Sequence, residues 1–139
     1  MAWFRRQDAG DFPKSDAGSG SLNDYRFDLT PKNGKVRIRL AGSDPHQDVL
    51  RDLVGAEGVT TAGGQRTVEE ERSDAPIQVR LFVERRIIGP VGQVPRGLEP
   101  PVLDALGRLE KSGKPARIPV EVVETKSGLR VDLLIGETR

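Results

Sequence analysis

The stretch IQVRLFVE, residues 77–84, alternates without a break. Ile77, Val79, Leu81 and Val83 fall on one side of an extended chain; Gln78, Arg80, Phe82 and Glu84 fall on the other. A helix would scatter those four aliphatics around its axis, whereas a strand lines them on one face. The chain must therefore build a strand with one buried and one polar side. KVRIRL (35–40) repeats the pattern with Val36, Ile38 and Leu40 inward. ARIPVEVVE and LRVDLLIGE repeat it again around TKSG, which predicts a hairpin with Ile118, Val120, Val122, Leu129, Val131, Leu133 and Ile135 inside. Pro119 interrupts the first of those strands and confines it to an edge or a bulge.

Strands with a single apolar face exclude a doubly wound parallel sheet covered on both sides. Two helical stretches lie between them. In GSDPHQDVLRDLVG, Asp44 suits a cap, Pro45 the first turn, and Gln47 the third position after the cap. Val49, Leu50, Leu53 and Val54 form an apolar stripe that Gly55 stops, so a helix is predicted over 45–54. In LEPPVLDALGRLEKSG, Leu98, Val102, Leu106 and Leu109 recur at helical spacing, Pro100 and Pro101 occupy the first turn, and Gly113 ends it. VTTAGGQRTVEEERSD reads as a Gly-Gly turn between two strands, with Glu69–Glu71 as a solvated strand end.

The order is strand, helix, strands, helix, hairpin. It predicts a mainly β fold with two helices (α+β), a small SH3/OB-like β-barrel of about six strands. This domain takes residues 33–139. Residues 1–32 are rich in Gly, Ser, Asp and Pro, lack periodicity, and read as a flexible N-terminal tail whose last part, Tyr25–Leu29, docks on the domain. Every aromatic except Phe82 lies there: Trp3, Phe4, Phe12, Tyr25 and Phe27. Trp3-Phe4-Arg5-Arg6 could serve as a docking peptide for a partner.

The inventory narrows the chemistry. The chain has no cysteine and one histidine, His46, so disulfides, thiol nucleophiles and Cys/His zinc sites are excluded. His46 has no plausible triad or ligand partner. No enzyme, metal or cofactor is expected. No apolar run approaches the length of a membrane span, and the N-terminal arginines are not followed by the apolar core of a secretory signal; a cytoplasmic setting is the default. Lys+Arg number 22 against 21 Asp+Glu, so binding to a polyanion must come from local asymmetry.

VERRIIGPVGQVPRG, residues 83–97, concentrates that asymmetry. Gly89 and Gly92 let the strand bend, and Pro95 and Gly97 end it before the second helix. It lacks the Lys-Ser/Thr of a nucleotide-binding loop. Its arginines need no structural reason. Arg37, Arg39, Arg80, Arg85, Arg86 and Arg96 are the candidate phosphate contacts. If the first and central strands are neighbours, Arg37 or Arg39 lies near Arg80 and beside Phe82, a cationic groove with one stacking ring. The same arginines also fit a strand face kept soluble and edge-protected. Phe82 fits either a base platform or packing against Tyr25 or Phe27.

Several motifs resemble the bacterial HIRAN domain family. GSDPHQDVL (42–50) resembles that family's first segment, often Gly-Glu-Ser-x-Tyr-Gln-x-x-Leu. Val91-Gly92-Gln93-Val94-Pro95-Arg96 fits its Val-Gly-Tyr-Leu-Pro/Ser-Arg/Lys block, and the following helix and Ala-Arg-Ile strand correspond. The resemblance spans residues 36–135. It implies a small β-barrel and single-stranded DNA binding through aromatic stacking and an acidic residue near a loop. The acidic residue falls on Asp74 in ERSDAPI. The chain departs from the pattern at His46, Ser73 and Gln93, where the family carries tyrosines. Two functions follow: a non-enzymatic nucleic-acid-binding module, or a protein-interaction module on the same barrel that has lost DNA binding.

Overall fold

A computed structural model describes residues 12–62 and 73–139. Trp3 to Arg6, the Gly-Gly turn and Glu69–Glu71 lie outside the described residues. The fold is mostly β with two helices: β1 (Ile38–Arg39), α1 (Gln47–Arg51), β2 (Thr60–Thr61), β3 (Gln78–Val83), β4 (Arg86–Gln93), α2 (Glu99–Lys111), β5 (Val120–Thr125) and β6 (Gly128–Leu133).

The strands form two small antiparallel sheets, ordered β1-β6-β5 and β2-β3-β4. Among the described residues no closed barrel is found. β1 and β2 are each two residues long, too short to carry a ladder across to the other sheet. Isolated bridges link the sheets instead, Ala41 with Gln93 and Thr60 with Pro119. The second bridge explains Pro119: it stands just before β5, at the outer edge of its sheet, where a missing N–H costs no ladder bond.

The predicted alternation is realised in space. Ile77, Val79, Leu81 and Val83 are buried from the central strand, Val36, Ile38 and Leu40 from the first, and Ile118, Val120, Val122, Leu129, Val131, Leu133 and Ile135 from the hairpin and its flanks. One core unites them with Leu50 and Leu53 beside α1 and with Val102, Ala105 and Leu106 of α2. The first helix is shorter than its apolar stripe predicts. Residues 44–46 form a 3₁₀ turn before α1, and Val49 and Val54 are left exposed. Asp44 makes no side-chain cap. Gln47 is drawn off to the hairpin, accepting from the Leu129 N–H at 2.8 Å and donating to the carbonyls of Leu129 and Ser43.

β4 bends as its glycines predict. Two steps on β3 (79 to 81) face four on β4 (88 to 92), and the extra length is taken up around Gly89, at φ 112°. The turn into β4 is Glu84-Arg85, both in the left-handed region, with Val83 opposite Arg86; Arg86 therefore belongs to the strand, not to the tip.

β6 departs most from a half-buried strand. Leu129 to Leu133 are buried on both faces. On the face opposite the core, Arg130 meets Ser15 and Asp16 of the segment expected as tail, and Asp132 meets Arg37 and Arg39. Ser19 pairs with Arg39 along the free edge of β1, Gly42 donates to the Asp16 carbonyl, and Tyr25 is buried in the core. Tyr25 makes this docking; Phe27 is fully exposed. Gly18 brings the segment against the β1 backbone: a Cβ there would stand 2.6 Å from the Arg39 carbonyl oxygen.

Candidate nucleic-acid interface

The six candidate arginines do not converge on one groove. β1 pairs with β6, not with β3, so Arg37 and Arg39 stand on a different sheet from Arg80. The premise that the first and central strands are neighbours is thereby overturned. A distant hairpin strand satisfies β1, and chain order alone carries no signal of that pairing.

Both β1 arginines are bound to carboxylates. Arg39 Nε donates to Asp132 Oδ1 at 2.8 Å and its Nη2 to Oδ2 at 3.2 Å. Arg37 reaches Asp132 Oδ2 at 3.1 Å and Glu121 Oε1 at 2.8 Å. The Asp132 contacts raise the Arg39 pKa, and hydrogen bonds to Asp132 and Glu121 outweigh the larger opposing desolvation at Arg37, whose pKa also ends higher. Both side chains stay charged, and their charge is answered within the protein.

Arg96 is also engaged. Its Nη2 donates to Asp74 Oδ2 at 2.7 Å and to the Asp74 carbonyl at 2.8 Å, and Nη1 lies 3.2 Å from Glu99 Oε2. Asp74, at φ 53°, thus serves an arginine of the same chain. Arg85 sits at the hairpin tip. Arg86 lines a cleft against α1 with Val49 and Asp52.

Arg80 and Phe82 remain together on the outward face of β3. No ion pair among the described residues engages Arg80. Phe82 packs against neither Tyr25 nor Phe27; the guanidinium carbon of Arg117 lies over its ring, 3.9 Å from the centroid. Three pairings place Arg117 there. Thr61 Oγ1 accepts from the Ile118 N–H at 3.0 Å, the Thr61 N–H donates to the Ile118 carbonyl, and Thr60 bridges Pro119 on one side and opposes Phe82 on the other. β2 thus carries the register from Pro119 to Phe82. Upstream, Gly113 at φ 80° ends α2, and Lys114-Pro115 turns the chain so that the Arg117 N–H donates to the Pro115 carbonyl.

Phe82, Arg117, Lys114, Pro115 and Glu137 line one open groove. Two cations and one ring can bind a polyanion and a planar group together. Arg117 and Lys114 escaped the sequence reading. The signal was present, because Ile118 points inward and its neighbour Arg117 must then point out. What no pattern announces is that a two-residue strand would set it beside Phe82.

Among the described residues no group of three His, Cys, Asp or Glu gathers as metal ligands, and no helix is long and apolar enough to cross a membrane. No family model, curated protein or solved structure matches the chain.

Proposed function

We propose that this chain is a non-enzymatic nucleic-acid-binding module, a HIRAN-like domain that takes single strands on the outward face of β2-β3-β4. In this reading its two sheets act as halves of one small six-stranded barrel, joined by the Ala41–Gln93 and Thr60–Pro119 bridges. The observation that carries the reading is the Arg117–Phe82 stack in one groove with Lys114, with Arg80 two residues from Phe82 along β3. Phosphates meet Arg80, Arg117 and Lys114, and a base meets the stack. A duplex hides its base faces, so single strands gain the stacking contribution that duplexes forgo.

The test is an anisotropy titration of a labelled single-stranded oligonucleotide at low salt and again near physiological salt. Binding that weakens with salt and with Arg80→Ala supports the reading; no binding at low salt removes it. A protein-interaction module on the same fold is the second reading. Ile87 favours it, since this cross-strand partner of Phe82 is 62% exposed.

A further inference from the structure

We propose that the stacking platform of this site is the Arg117 guanidinium rather than the Phe82 ring, and that the site therefore prefers purine-rich single strands. The inference rests on the nucleic-acid reading above. Carbon atoms in contact stand about 3.5–4.0 Å apart. At 3.9 Å the guanidinium and the ring already touch, so no base fits between them. The available flat surface is the outer side of Arg117, which is exposed and engaged in no ion pair among the described residues.

The ring then has a supporting role. Its negative face holds the cation in place, and Thr60, Pro119 and Ile118 fix the distance through the β2 register. A guanidinium is planar and stacks on bases as an aromatic does, while an ammonium of the same charge does not. Stacked face-on, its N–H donors lie in a plane parallel to the base and point away from that base's edge. Selectivity then follows stacking strength, and the larger purine ring system stacks better than a pyrimidine.

The experiment measures affinities of wild type, Arg117→Lys and Phe82→Leu for oligo-dA and oligo-dT single strands at low salt, with a salt titration of each. Wild type is expected to bind oligo-dA more tightly. Arg117→Lys keeps the charge and the salt slope, yet binds oligo-dA about fivefold or more weakly and loses the purine preference. Phe82→Leu frees Arg117 and produces the same loss with every charge intact. If Arg117→Lys binds both strands as wild type does, or wild type shows no purine preference, the platform is refuted while the nucleic-acid reading stands. If wild type binds neither strand, both fall together.

Discussion

Arg39 and Asp132 are direct partners across β1 and β6, joined by two hydrogen bonds of 2.8 and 3.2 Å. Asp132 is 4% exposed and also receives Arg37. This carboxylate turns two candidate phosphate contacts into part of the scaffold. Asp132→Ala leaves the Arg39 guanidinium unanswered and Arg37 with Glu121 alone, and is expected to lower the unfolding free energy by about 2–3 kcal/mol. Arg37→Ala removes a half-exposed group and should cost under about 1 kcal/mol. Urea denaturation of the two variants checks the contrast; equal losses would argue against a shared buried acceptor.

Arg130 ties the N-terminal segment to the hairpin. It is 1% exposed, its Nε donates to the Ser15 carbonyl at 3.1 Å, Nη2 reaches Asp44 at 2.9 Å, and Nη1 stands 3.7 Å from Asp16. Asp16, equally buried, accepts from the N–H groups of Ser43 and Asp44. Arg130→Leu leaves a buried carboxylate without its cation and should cost about 3–5 kcal/mol. Hydrogen exchange should show residues 14–19 losing protection first. Protection lost evenly over the whole domain would mean that the segment is not held by this residue.

Tyr25 makes stability depend on pH on the alkaline side. Burial, helped by the neighbouring Asp24 carboxylate, pushes its phenol up to about 12 from an ordinary 10.0. The unfolded chain releases the proton first, so the full contribution is present below pH 10 and is lost as pH rises through 12, by about 3 kcal/mol in all. The buried hydroxyl has no hydrogen-bond partner among the described residues. Tyr25→Phe should therefore be as stable as wild type at neutral pH, or more stable by about 1 kcal/mol, and should lack the alkaline loss. Unfolding measured for both proteins at neutral pH and near pH 11 decides it; a destabilised Tyr25→Phe would mean that the hydroxyl is satisfied.

The inward aliphatics of β1, β3, β5 and β6 were legible in the sequence, because alternation has one physical cause and one reading; β2 and β4 carried no such pattern. The second helix was legible too, from Leu98 to the stop at Gly113. Pairing was not. Arg39 reads as a solvent-facing cation until β6 supplies Asp132 ninety-three positions later. Arg130 reads as an outward residue between Leu129 and Val131, yet the segment that covers it has no periodicity to announce that it packs. Within the candidate site, Arg80 and Phe82 were visible as neighbours on one strand. Arg117 was visible only as an outward residue, since a two-residue strand that transmits register leaves almost no pattern.

The central claim is that the binding face lies on β2-β3-β4 and not on β1. Amide chemical-shift mapping during titration with a single-stranded oligonucleotide tests it most directly. The account predicts shifts concentrated at Arg80, Phe82, Lys114 and Arg117, with Arg37 and Arg39 unmoved. Shifts centred on Arg37 and Arg39, or none at saturating oligonucleotide, would contradict it.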